Sequence, residues 1–258
     1  MASLPITLPT AGVGYSGSLG DGGFAYGPQT SPIAVAGGLS FATVSVGVAH
    51  SCGVTTTGAA YCWGNDIYGM LGDGDTLSKA SPVAVAGGLS FLTVSAGSFH
   101  VCGITTVGAA YCWGANVNGE LGNGSTGPEL CLSYYPCSTT PVAVLGGLAF
   151  TTVSVGGGEA DSYACGITTG GAAYCWGSNM HGQLGDGTTT NRTSPVPVSG
   201  GLKFATVSAA LDASGRYSHT CGVTTEGATY CWGSNSKGQL GDGTTTNRSV
   251  PVKVVSQQ

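Results

Sequence analysis

The stretch Cys221-Gly222-Val223-Thr224-Thr225-Glu226-Gly227-Ala228-Thr229-Tyr230-Cys231-Trp232-Gly233, continued by Gly238-Gln239-Leu240-Gly241-Asp242-Gly243, is written four times in this chain with variations. The earlier copies begin at Cys52, Cys102 and Cys165, and in each two cysteines stand ten positions apart with Trp-Gly after the second. Apolar and small residues alternate on both sides of a Thr-Thr-x-Gly turn, the pattern of a β-hairpin. A three-residue loop Thr56-Thr57-Gly58, with glycine in the left-handed position, sets Val54 opposite Ala60 and Cys52 opposite Cys62. Facing residues of a non-hydrogen-bonded pair lie roughly 4.5 Å apart at Cα, a span that a disulfide tolerates. The same register predicts the bridges Cys102–Cys112, Cys165–Cys175 and Cys221–Cys231.

Working outward, the turn Leu-Gly-(Asp/Asn)-Gly recurs at Leu19, Leu71, Leu121, Leu184 and Leu240, a period of about fifty residues. Each full unit opens on a strand with proline at its first position, as in Pro32-Ile33-Ala34-Val35. A Gly-Gly turn leads to a strand with β-branched residues at alternate positions, Ala42 to Gly47, and then to the hairpin. The repeats divide the chain into an incomplete copy at 1–31, a closing segment or assembly arm, and units at about 32–81, 82–140, 141–194 and 195–258. No segment carries a helical apolar period, so the fold is expected to be all-β. Four short strands per repeat suit the blade of a β-propeller, here of about four to five blades stapled by disulfides. The strand Pro251-Val252-Lys253-Val254 has no unit after it: closure of the ring, the favoured arrangement, would pair it with an N-terminal strand at Ile6 to Leu8, whereas an open array would pair these edges with a second chain.

Charged residues make up 7 % of the chain, against roughly 25 % in an ordinary domain. The net charge of −5 argues against a nucleic-acid partner, which calls for clustered Lys and Arg. No apolar run approaches the roughly 18 residues of a spanning helix, so membrane insertion is not expected. The N-terminus, interrupted by Pro5 and Pro9 and without a charged start, does not read as a signal peptide. Ten cysteines, all assignable to short-range pairs, nevertheless indicate an oxidising setting: extracellular, cell-surface or on a virion. Zinc is not expected, because each unit offers only two ligands.

The pattern His-x-Cys-Gly-(Val/Ile)-Thr-Thr-x-Gly-x-x-Tyr-Cys-Trp-Gly-x-Asn-x-x-Gly-Gln-Leu-Gly-Asp-Gly, clearest from His219 to Gly243, resembles the regulator of chromosome condensation repeat. The resemblance spans Pro32 to Val254 and implies a β-propeller, usually of seven blades. Members of that family include a nucleotide exchange factor for a small GTPase, chromatin binders and bacterial β-lactamase inhibitors. The cysteine pairs depart from the eukaryotic pattern and look like those of secreted bacterial versions.

Recurrence assigns most conspicuous residues to structure. His50, His100 and His219 share one repeat position, taken by Tyr163 in the third unit, and the resemblance implies a ring nitrogen bonded to backbone. His181 falls in a loop and reads as surface. Trp63, Trp113, Trp176 and Trp232 read as packing between blades. Asp73, Asp186 and Asp242, with Asp75 following in the first unit, read as Asx turns, since a calcium loop needs several oxygens at alternating positions plus a closing Glu, which these turns lack. No catalytic constellation, metal site or cofactor motif is present, and no enzymatic activity is expected. Function should then sit where the repeat is broken. One break is the insertion Pro128 to Cys137, with its own bridge Cys131–Cys137 and the exposed-type pair Tyr134 and Tyr135; another is the expanded loop with Arg216 and Tyr217. The expected activity is binding of other proteins, copies of itself included, as a structural component of a surface assembly. The alternative is a soluble secreted binder resembling the β-lactamase-inhibiting propellers.

Overall fold

A computed structural model describes residues 7–8, 17–24, 29–126, 129–158, 160–211 and 217–255. Among these the regular structure is all strand, apart from a turn of 3-10 type at Gly17. The short strands β1 (Thr7–Leu8) and β2 (Ile33–Ala34) pair only with each other. The first blade is β3 (Phe41–Val46), β4 (His50–Thr55), β5 (Ala60–Gly64) and β6 (Lys79–Ala84). The second has β7 (Phe91–Ala96), β8 (His100–Thr105) and β9 (Ala110–Ala115), then β10 (Glu129–Cys131) and β11 (Tyr135–Ala143). The third runs β12 (Phe150–Gly156), β13 (Tyr163–Thr168), β14 (Ala173–Gly177), β15 (Arg192–Pro197). The fourth runs β16 (Phe204–Ala209), β17 (His219–Thr224), β18 (Thr229–Gly233), β19 (Arg248–Lys253). Each blade is an antiparallel meander; in the second, β11 lies beside β9 and β10 forms the outer edge.

The hairpin register is the one that the turn chemistry dictates. Val54 faces Ala60 and Cys52 faces Cys62, and Gly58 takes φ of 88°. Because the cysteines oppose each other directly, the four hairpin bridges span Cα–Cα distances of 4.0 to 4.1 Å. Cys131–Cys137 forms as well, at 5.8 Å, and none of the ten cysteines is free.

The sheets are offset from the sequence repeat. The proline strand that opens each repeat is the fourth strand of the preceding blade, so β19, with Pro251 and Val252, completes blade four by pairing with β18. The pairing expected between the chain's two ends does not form: Thr7 and Leu8 sit opposite Ala34 and Ile33. The reason is register. Pro32-Ile33-Ala34 is the outer strand of a preceding partial blade, and β1 is the neighbour that such a strand requires.

Blades meet through their tryptophans. All four are fully buried. The indole Nε1–H of Trp113 donates to Met70 O at 2.9 Å, that of Trp176 to Glu120 O at 3.0 Å and that of Trp232 to Gln183 O at 2.9 Å. In each case the acceptor is the residue before Leu-Gly in the preceding unit. Trp63 repeats the contact on the partial copy, donating to Ser18 O at 3.1 Å. Gly72 stands so close to the Trp113 ring that a Cβ there would lie 2.8 Å from it, so the turn's glycine is a packing requirement as well as a left-handed residue. Each ring removes roughly 150–250 Å² from water, about 4–6 kcal/mol on transfer scales. The inner half of the interface is held by Ala96, Val155 and Ala209, whose N–H groups donate to Ser45, Ser95 and Ser154 of the blade before.

Candidate protein-interaction surfaces

Two of the residues that break the repeat lie together. Around Tyr135 an aromatic run forms: Phe99 meets Tyr68 edge-on at 5.5 Å, Tyr68 stacks on Tyr135 at 4.3 Å, and Tyr135 meets Tyr134 edge-on at 6.5 Å. Tyr68, Met70 and the Cys131–Cys137 bridge anchor this run in a small core of its own. At the hairpin tip Leu132 and Ser133 both take positive φ, 50° and 68°. A left-handed leucine is strained, and the bridge beneath it holds the tip in place. The result is an exposed apolar point made by Leu130, Leu132 and Tyr134, the last with 72 % of its surface open. Tyr217 belongs elsewhere, in the β16–β17 connection of blade four, where its carbonyl lies 2.9 Å from His219 Nδ1. Arg216 lies outside the described residues.

A larger surface had no signature in the sequence. Strand β17 of blade four is partly open, whereas its counterparts β4 and β8 are buried throughout. Val223 is 36 % exposed; its equivalents Val54, Ile104 and Ile167 are at 2 %, 0 % and 3 %. Three contact points repeated between the blades go unmet on this face among the described residues. Gly58, Gly108 and Gly171 each accept an N–H from a phenylalanine of the next blade, and Gly227 accepts none. Ser45, Ser95 and Ser154 accept inner-strand N–H groups, and Ser208 is exposed. Gln183 O takes Trp232 Nε1–H, while Gln239 O takes no indole. Shallow clefts of about 410 and 220 Å³ open here beside Glu226, Ala228 and Tyr230. The first blade's leading edge is open in the complementary sense: Val46 is 44 % exposed where Ala96 is 3 %.

Two of the three repeat-position histidines are not bonded to backbone as the resemblance implies. His50 and His100 are wholly buried with both ring nitrogens unpaired, and burial pushes their pKa values down to about 4 and about 3. His219, half-exposed, is the one whose ring meets backbone. His181 is half-buried, its N–H on Gln183 Oε1. Tyr163, at the shared position in blade three, donates its hydroxyl to His219 O at 2.6 Å and so crosses to blade four. The aspartates cap turns as read: Thr188 N donates to Asp186 Oδ1 and Thr244 N to Asp242 Oδ1, both at 2.9 Å.

A disulfide-stapled array of four- and five-stranded blades, each keyed to the next by a tryptophan, defines a β-propeller repeat protein. The profile of the regulator of chromosome condensation (RCC1) repeat matches residues 57–104, 108–159, 170–215 and 226–258, and the chain belongs to that family. The human E3 ubiquitin-protein ligase HERC2 is 30 % identical over 227 residues, 86 % of this chain and 4 % of its own. Human protein RCC2 is 39 % identical over 107 residues, 42 % of this chain and 19 % of its own. Among solved structures, human WBSCR16 superposes with a TM-score of 0.76 at 18 % identity, covering 93 % of this chain and 60 % of that one. Yeast RCC1 (Prp20), solved bound to Kap60, gives 0.74 at 18 % identity, covering 90 % and 52 %. The chain therefore spans a small part of these curated relatives and little more than half of the similar solved chains. The disulfide pattern indicates an oxidising environment, and no helix among the described residues is long and apolar enough to cross a membrane.

Proposed function

We propose that this protein is a non-enzymatic scaffold that assembles with other proteins, copies of itself included, outside the reducing cytosol, at a cell or virion surface. The observation that carries the reading is the face of blade four that no described residue covers. Its open acceptors, Gly227 O and Ser208 Oγ, are the ones that inter-blade donors fill elsewhere, and the first blade's leading edge presents the matching strand, Phe41 to Val46. A second copy meeting that face head-to-tail continues an interface already used three times. Such heterologous contacts build rings or filaments. Because Ser18 O already occupies Trp63 Nε1–H, the contact between copies runs along the inner strands. A surface with 7 % charged residues lowers the desolvation cost of close packing.

Sedimentation velocity over a concentration series tests this. The wild-type chain should form higher species, and Val46→Glu or Val223→Glu alone should disperse them without lowering the melting temperature measured at concentrations where the wild type is monomeric. Mixing the two variants should restore dimers only, because each retains one good face. A chain that stays monomeric at all concentrations would sink the reading.

A soluble binder or enzyme inhibitor is the second reading, favoured by the exposed point of Leu130, Leu132 and Tyr134. Under it Tyr134→Ala should abolish capture of the target protein and leave self-association untouched.

A further inference from the structure

One corner recurs in every blade, between its third and fourth strands, and the first blade fills it differently. In blade three, Asn179 Oδ1 accepts from Leu184 N at 3.0 Å. Its Nδ2 donates to Asp186 Oδ1 and to Thr188 O, each at 3.1 Å. Blade four repeats this with Asn235, Leu240, Asp242 and Thr244. In blade two, Asn116 Nδ2 donates to Ser125 O at 3.0 Å. The first blade has Asp66 at this position. Its Oδ1 accepts from Leu71 N at 2.8 Å, as the asparagines do, so the carboxylate is held in the same orientation. Its Oδ2 then stands where the sister blades place a donor. The residue is wholly buried and that oxygen has no partner.

What faces the oxygen makes the vacancy of a donor more costly. The position two after Asp73, threonine in blades three and four, is Asp75 here, and oxygens of Asp66, Asp73 and Asp75 all lie within 4.8 Å of one another. Lys79 pairs with Asp75 at 2.8 Å and Asp73 at 3.3 Å, the place taken by Arg192 on Asp186 in blade three. Three carboxylates against one ammonium leave a formal charge of −2, where one aspartate against one arginine in blade three leaves none. A buried carboxylate without a donor or counter-charge is strongly disfavoured.

We propose that Asp66, Asp73 and Asp75 form a site for a hard divalent cation, with calcium the ion that it fits. The donors are all oxygen, which excludes the soft and imidazole-seeking metals. Calcium takes oxygens at about 2.4 Å in a flexible geometry that a carboxylate cluster can supply, while magnesium demands a near-ideal octahedron and keeps most of its waters. Waters complete the six to eight ligands that calcium takes. A divalent ion cancels the whole formal charge of the corner; a proton on Asp66 cancels half of it. In the sequence these turns lack a calcium loop's closing Glu, and Asp66 comes to lie near Asp73 and Asp75 only through the fold. The ion would brace the connection that carries Met70 and Gly72, on which Trp113 of the next blade is seated.

The test compares wild type with Asp66→Asn, which recreates the blade-three corner and so keeps the fold. At pH 8, 10 mM calcium chloride should raise the wild-type melting midpoint over that in EDTA by roughly 3–10 °C, for a Kd of about 10⁻⁴–10⁻³ M. Titration calorimetry should give one site in wild type and none in the variant. The variant should melt at one temperature with calcium or EDTA, and above wild type in EDTA. A wild-type midpoint indifferent to calcium, or one that shifts equally in both proteins, overturns the proposal. So does an equal wild-type response to magnesium, which would mark general screening. These outcomes are independent of whether the chain self-associates.

Discussion

Gln183 to Arg192 in blade three and Gln239 to Arg248 in blade four are the same ten residues. They fold into the same corner: Leu184 N and Leu240 N each donate to an asparagine Oδ1 at 3.0 Å, and Arg192 Nε and Arg248 Nε each donate to an aspartate Oδ2 at 2.8 Å. What lies against the corner differs. Gly182 packs within 2.7 Å, as a virtual Cβ, of Ser249, and Gly185 within 2.8 Å of Trp232. Gly238 and Gly241 meet only their own blade, at Thr244 and Val254. Gln183 is buried and Gln239 is not. Identical sequence thus yields identical local geometry and unequal burial. Local hydrogen bonds make the corner; the next blade makes the core.

The largest way to break this comparison is at the tryptophan between the two blades. Trp232→Ala should cost about 3–5 kcal/mol in denaturant unfolding, since it empties a fully buried site and strands Gln183 O. A loss below about 1 kcal/mol would mean that the blades are independent. A sharper cut uses the paired positions on β13 and β17. Ile167→Ala should cost about 2–4 kcal/mol and Val223→Ala less than about 1, because only the first is covered. If self-association covers blade four, the Val223 cost should grow with protein concentration, which the same melts would reveal.

A third break works through pH, at the histidine position that blade three fills with tyrosine. Burial holds His50 and His100 far below their ordinary pKa of 6.5, the charge of His50 adding to the effect on His100. A folded value below the unfolded one means that the unfolded chain takes up protons first. Stability from these two residues is therefore complete above pH 6.5 and declines as the pH falls toward 4, by roughly 1–3 kcal/mol per histidine. His100→Tyr, which borrows the residue of blade three, should flatten the acid side of a melting-temperature profile. A profile that is flat between pH 7 and 4.5 in wild type would show that the rings are not buried as described.

Much of this architecture was legible in the chain, and the particular residues say why. The Cys52–Cys62 bridge follows from a loop length and a left-handed Gly58, both local. The role of Trp113 follows from recurrence, since an indole kept in every repeat has a contact that every repeat provides. The insertion at Tyr134 and Tyr135 was visible as an interruption, but its stacking on Tyr68, more than sixty positions earlier, was not. Nor was the Asp66 corner. Against three asparagines, the single aspartate reads as a neutral change until the fold sets it facing Asp73 and Asp75.

The sequence by itself determined the hairpin strands, their register and the disulfide pairing. These depend on turn chemistry and side-chain alternation over a dozen residues, where few arrangements are sterically open. The tertiary structure alone decided that each proline strand closes the blade before it, and that β1 pairs with β2 instead of reaching β19. It also decided that, among the described residues, one copy of a repeated surface stays open. Those outcomes depend on which neighbour arrives to bury a face, and a repeat presents the same face to a neighbour whether or not one is there.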